Sequence, residues 1–219
     1  MEDIENEKVA EFSTGIDFAL FGNRFSGSVN YYNRETDNVL YAVRVPVPPN
    51  MYPYTFKNGL TFKNSGIEGI LNAKILNTDA LNWTSTATFS WNKINVDNLE
   101  YPGYRGNVNV PGTDYFYTQL LQNNQPYWVF YLPEYAGISP DGQTMFYQDN
   151  GQQTRDINRA EKRIFGQVLP KFELGWANNV VLYKNVELSM SMRYVSGHSI
   201  FNATRMYLAN PSATLNVVE

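Results

Sequence analysis

The sequence predicts an all-β fold of antiparallel up-and-down strands, part of a large transmembrane β-barrel with long extracellular loops. Three observations predict it. The first is strict alternation. Between Leu81 and Asn92, Trp83, Ser85, Ala87, Phe89 and Trp91 fall on one face, and Asn82, Thr84, Thr86, Thr88, Ser90 and Asn92 on the other, because successive side chains of a strand point to opposite faces. The polar face is uncharged and the other is bracketed by tryptophans. A strand standing between lipid and a wet lumen, with aromatics at both interfaces, has this pattern. The second observation is that turns of two or three residues alternate with loops of tens of residues, as periplasmic turns and extracellular loops do. The third is length. Trp83 to Trp91 spans about 26 Å at roughly 3.3 Å per residue, or about 20 Å along the membrane normal at a tilt near 40°.

The first strand runs about 11–21, with Phe12, Thr14, Ile16, Phe18 and Leu20 on one face and Ser13, Gly15, Asp17 and Ala19 on the other. Gly22-Asn23 is a tight-turn pair. The second strand, about 24–34, sets Phe25, Gly27, Val29 and Tyr31 against Ser26, Ser28, Asn30 and Tyr32. The Pro-rich stretch 45–53 cannot lie in a central strand. The third strand, about 65–76, sets Ile67, Gly69, Leu71, Ala73 and Ile75 against Glu68, Asn72 and Lys74, and Asn77-Thr78-Asp79 turns into the fourth. Residues 96–167 read as one long loop rich in Gly, Asn, Pro and Tyr, with short extended runs such as 128–132 and one or two helical turns within 157–165. The fifth strand, about 171–183, shows Phe172, Leu174 and Trp176 on one face. Lys184-Asn185 turns into the sixth, 186–196, where Leu188, Met190, Met192 and Tyr194 oppose Glu187, Ser189, Ser191 and Arg193.

Composition narrows the classes. Charged residues make up 17% of the 219, and the net charge of −4 supplies no basic patch for nucleic acid. No apolar run is long enough for a transmembrane helix. With no cysteine, disulfide scaffolds and thiolate metal sites are excluded. The acidic start, residues 1–8, is not a signal peptide. Periodicity alone leaves open a soluble β-sandwich that binds glycans. The discriminator is charge: a soluble sheet places Lys or Glu opposite its core, whereas these polar faces are mostly Asn, Ser and Thr.

No catalytic, metal-binding or cofactor-binding constellation is present. His198 is the one histidine and has no partner for metal or catalytic work. Asp141-Gly142 and Asp149-Asn150-Gly151 lack calcium-loop spacing and read as turns. Glu2, Asp3 and Glu5 read as a solvated tail. Asn82-Trp83-Thr84 fits a glycosylation sequon, but Trp83 belongs to a strand. The better functional candidates are Tyr115, Tyr117, Tyr127, Trp128, Tyr131 and Tyr135 in the long loop, which suit stacking on sugars, contact with a protein, or packing of the loop itself. The ligand-binding residues stay unassigned.

Several short patterns carry a family resemblance. They are Tyr31-Tyr32-Asn33-Arg34-Glu35-Thr36 followed by Leu40; Asn64-Ser65-Gly66-Ile67-Glu68; Asp156, Gly166 and Pro170-Lys171-Phe172 with Gly175; and Gly197-His198-Ser199-Ile200-Phe201-Asn202. In order and spacing they resemble the C-terminal barrel region of SusC/RagA-family TonB-dependent outer-membrane transporters. Asn124-Gln125-Pro126 departs from the Gly-before-Pro usual there. The resemblance implies that 1–219 is a partial barrel domain, without plug, N-terminal barrel strands or last strand, since 215–219 lacks the terminal aromatic strand. It also implies the outer membrane of a Bacteroidetes-like Gram-negative cell, uptake of oligosaccharides or peptides, and no bond chemistry. Its partners would be outer-membrane lipid, a SusD-like surface lipoprotein and the TonB complex, the last reached through an N-terminal region.

Overall fold

A computed structural model describes residues 4–108 and 116–208. The strands in chain order are β1 (Lys8–Leu20), β2 (Phe25–Arg44), β3 (Tyr54–Asn77), β4 (Leu81–Asp97), β5 (Gly103–Val108), β6 (Phe116–Leu121), β7 (Gln125–Pro126), β8 (Val129–Pro133), β9 (Tyr135–Ile138), β10 (Thr144–Tyr147), β11 (Gln153–Thr154), β12 (Lys162–Gln167), β13 (Phe172–Leu182) and β14 (Val186–Ser196). A single short helix, α1 (Ala203–Leu208), follows, started by the Asn202 side chain, which accepts from the Arg205 backbone N–H at 2.8 Å. The chain divides into two units, residues 1–100 with 169–198, and residues 101–168 with 199–219.

The first unit is a wall of six long antiparallel strands in the order β1-β2-β3-β4-β13-β14. Its register aligns the faces that alternation defines. Ile16 pairs with Val29, Val29 with Gly69, Gly69 with Phe89, and Phe89 with Leu174, which pairs with Tyr194. One mainly apolar face therefore runs across all six strands. On the other face Asn30 pairs with Glu68, Glu68 with Ser90 and Ser90 with Glu173. A sandwich needs a second sheet packed on the apolar side. Here that side lies open: Phe12 is 63% exposed, Ile16 72%, Leu188 65% and Tyr194 58%.

The structure corrects several expected bounds. The β1–β2 turn occupies residues 21–24, with Leu20 paired to Phe25, rather than Gly22-Asn23 alone; Phe21, Gly22 and Asn23 all take positive φ. The β3–β4 turn is Thr78 to Ala80, with Asn77 paired to Asn82, one residue later than expected. The β13–β14 turn includes Tyr183, and both Tyr183 and Lys184 take the positive φ of a hairpin turn. At the opposite end β2, β3 and β4 run well past the expected 34, 65 and 92. The extra arms of β2 and β3 reach about 30 Å beyond the alternating band at 3.3 Å per residue. Register shifts near Thr36, Val39 and Tyr41 interrupt their pairing, so the period of two is lost there. Buried apolar residues of this unit, Val43, Leu60, Val96 and Leu99, lie in or just past these arms.

Residues 96–167 are not one irregular loop. Beyond the end of β4 the second unit holds a four-stranded sheet, β12-β8-β6-β5, and a three-stranded sheet, β11-β10-β9. Within 157–165 there is a single 3-10 turn, Ile157–Arg159, capped by Asp156, and then β12 in place of more helix. Leu120, Leu121, Val129 and Phe130 are buried in this unit, and the Phe130 ring lies 6.5 Å from that of Phe201.

Candidate functional site

Two surfaces present chemistry. The first is the apolar face of the six-stranded wall. Its upper limit is the row Tyr31, Ile67, Trp91 and Phe172, aligned by the register. One step higher on the same face Ser65 pairs with Lys93, and a second step higher Lys63 pairs with Asn95, where Lys63 Nζ meets Asp97 Oδ2 at 2.7 Å. Beyond Trp91 apolar side chains thus give way to polar and charged ones. Two polar side chains interrupt the band, Ser85 and Asn178, which pair with each other across β4 and β13. Each is met by an indole. Trp83 Nε1 donates to Asn178 Oδ1 at 3.1 Å, and Trp176 Nε1 donates to Ser85 Oγ at 2.8 Å. Asn178 is only 8% exposed. The tryptophans cover the polar atoms they bond, so the face stays apolar outward.

The polar face of the wall is stitched by side-chain hydrogen bonds. Thr86 Oγ1 donates to Asn72 Oδ1 at 2.8 Å and Ser189 Oγ to Asn179 Oδ1 at 3.0 Å. Arg193 meets Glu173 at 2.6 Å, and Arg34 pairs with Glu11. Thr84, Thr86, Ala177, Asn179, Ser189 and Ser191 line a shallow concavity of about 280 Å³, because small side chains occupy neighbouring positions on three strands.

The second surface lies in the other unit and centres on Arg105 of β5. Its guanidinium stacks on the Trp128 indole, 4.2 Å from the ring centre, with the Tyr127 ring at 6.0 Å. Its Nε donates to Gln119 Oε1. Trp128 takes φ +58°, a left-handed conformation that costs a bulky residue about 1–3 kcal/mol. The Val168 N–H, donating to the Trp128 carbonyl at 3.0 Å, holds it there. Gly103 packs close by: a Cβ there would stand 3.3 Å from the Leu121 Cβ and in ordinary contact with the Trp128 ring. Beside them Tyr104 and Tyr117 lie with ring centres 5.9 Å apart, both exposed.

The expected candidates divide accordingly. Tyr127 and Trp128 join this cluster and Tyr117 flanks it, while Tyr131 sits on β8 and Tyr135 is exposed on β9. Tyr115 lies outside the described residues, as do Glu2, Asp3 and 215–219. Arg105 and Gln119 had no signal in the sequence, because only the β5–β6 register brings them together. Asp141-Gly142 is a turn closed by the Gly142 N–H on the Ser139 carbonyl at 2.8 Å. The Ser139 hydroxyl on Asp141, and Arg155 beside it, hold that carboxyl below its ordinary value. Asp149-Asn150-Gly151 is also a turn, closed by the Gly151 N–H on Gln148. His198 lies just past β14 and is half-buried. Among the described residues no His, Asp and Glu gather as metal ligands, and no helix is long and apolar enough to cross a membrane.

No family model matches the chain. Whole proteins do. TonB-dependent receptor P3 of Formosa agariphila is 26% identical over 97% of this chain, and TonB-dependent receptor SusC of Bacteroides thetaiotaomicron is 25% identical over 88%. The chain is a relative of the SusC-like TonB-dependent receptors. It spans about a fifth of these relatives' length, 22% and 20% respectively. The fold agrees: 93% of the chain superposes on the RagAB peptide transporter with a TM-score of 0.77 at 23% identity, covering 23% of that chain. The RagAB importer in its open-open state gives 0.76 at 24% identity. The SusC-like relatives are named as receptors and the structural neighbours as transporters, none as an enzyme.

Proposed function

We propose that residues 1–219 form a stretch of the barrel wall of a SusC-like importer in the outer membrane of a Gram-negative bacterium. The apolar face of β1–β4, β13 and β14 meets lipid, and the polar face lines the lumen. The observation that carries this is the apolar face that crosses all six strands of a single-layer sheet, bounded by an aromatic row and then by polar and charged side chains that include the Lys63–Asp97 pair. In water such a face would be a large aggregation-prone patch; against hydrocarbon it needs no cover. The hairpin turns at residues 21–24, 78–80 and 183–185 point to the periplasm. The arms of β2 and β3 stand outside, as the long loops of such a receptor do, where a SusD-like lipoprotein would cap them. The transported ligand is an oligosaccharide or a peptide. Plug rearrangement and the TonB contact belong to other parts of such a receptor.

These 219 residues hold no cysteine, so once any cysteine elsewhere in the gene product is replaced, single cysteines placed in them report on each face. Ile16, Leu71 and Leu188 replaced by Cys are expected to be shielded from a charged maleimide and quenched by lipid-borne quenchers. Ser28, Asn72 and Ser189 are expected to react with the maleimide. Equal labelling of both sets would sink the proposal.

A further inference from the structure

We propose that Arg105 reads a carboxylate on the transported ligand, held in position for it by Trp128, Tyr127 and Gln119. The inference rests on the importer reading and names the chemistry that such a ligand would carry.

A guanidinium has five N–H donors in one plane. In Arg105 the Nε–H is taken by Gln119 and one ring face is covered by Trp128. The four Nη hydrogens remain, arranged as a fork that fits the two oxygens of a carboxylate. Arg34, Arg155, Arg163 and Arg193 commit Nη donors to a carboxylate of the chain itself, and Arg24 commits its Nε and Nη donors to backbone carbonyls. What sets Arg105 apart from Arg44 and Arg205, unpaired among the described residues, is the aromatic stack that holds it. Among the described residues no carboxylate pairs with Arg105, and its side chain is exposed. The stack on Trp128 and the bond to Gln119 restrict the rotamers that a free arginine would otherwise lose on binding, so less ordering is left for the ligand to cause. Tyr104 precedes Arg105 on β5 and Tyr117 lies two residues from Gln119 on β6, both exposed with their rings 5.9 Å apart, and they offer flat apolar area to the body of a sugar or a peptide.

The carboxylate has two sources, a uronic-acid sugar or an acidic peptide, and the experiment separates them. The complete gene product in detergent is titrated with oligogalacturonate and with oligoglutamate. Each is compared with its neutral form, the methyl ester and oligoglutamine. One charged probe is expected to bind at least about tenfold tighter than its neutral form, as a charge-assisted bidentate pair should. Which one binds names the source. Arg105→Gln is expected to erase that gap, and Arg105→Lys to keep only part of it, since an ammonium brings charge without the fork. Arg159→Gln, which removes a cation already paired with Asp156 in the same unit, controls for net charge and should leave the gap intact. Equal binding of charged and neutral forms, no binding of either charged probe, or an equal effect of Arg159→Gln overturns the assignment. The cysteine-labelling pattern is measured on the same preparation. If the two faces label as expected and the gap is absent, Arg105 alone is misassigned; if the faces label alike, the importer reading falls and the site falls with it.

Discussion

Asn178 and Ser85 are the residues that local hydrophobicity would remove from this wall, and the indoles of Trp83 and Trp176 explain why they stay. A buried amide oxygen without a donor costs more than the bond itself returns when made. Trp83→Phe keeps an aromatic ring, though a smaller one, and removes the donor, leaving the nearly buried Asn178 oxygen unpartnered. It is expected to lower stability by about 1–3 kcal/mol. Trp176→Phe should cost less, about 0.5–1.5 kcal/mol, because the Ser85 oxygen that loses its donor is only half-buried and keeps its own O–H for bonding. Urea midpoints of the complete gene product in vesicles compare the two; equal losses would mean that ring packing, not the Asn178 bond, is what Trp83 contributes. At this scale the sequence was only half legible. Trp83 and Trp91 stood out as interface aromatics, but the partner of Trp83 lies 95 residues away, and the left-handed backbone of Trp128 leaves no mark in a string of residue types.

Among elements, the six long strands and their faces were legible because each side of a membrane-height strand meets one medium along its whole length. That forces a period of two on the residues. β14 was found to the residue, and β1, β4 and β13 were found with errors at their ends. The arms of β2 and β3 were missed because each of their sides meets mixed surroundings and bulges shift the register. The strands of the second unit were missed because several are only two to six residues long, too short to show a period. The depth of the band makes an element-scale prediction. Leu71→Arg, near mid-band on β3, should cost about 2–4 kcal/mol in a bilayer, and Tyr31→Arg at the upper row about 0–1 kcal/mol. The same folding titration reads both, and a cost independent of depth would remove lipid from the apolar face.

For the molecule as a whole, the outer edges of β1 and β14 are decisive. Each pairs on one side only within the described residues, and hydrocarbon does not tolerate a row of unpaired backbone groups. The chain produced by itself is expected to aggregate in buffer and to give a sheet signal by circular dichroism in micelles only alongside the rest of such a receptor. A soluble, cooperatively unfolding monomer would contradict this. Whether six strands lie within a larger closed circuit was legible only through family resemblance, since no residue in a strand records how many neighbours its sheet has. The short apolar band carries one more consequence. From the Leu81–Leu182 row to the Trp91 row its height is about 25 Å at a tilt near 40°, somewhat less than the roughly 30 Å hydrocarbon thickness of an average bilayer. A thick membrane would have to pinch around this wall or leave acyl chains against Lys63 and Lys93, at fractions of a kcal/mol for each ångström of mismatch. In the proposed setting the wall would therefore suit a thin bilayer better than a thick one, with elastic strain in the surrounding lipid setting the preference.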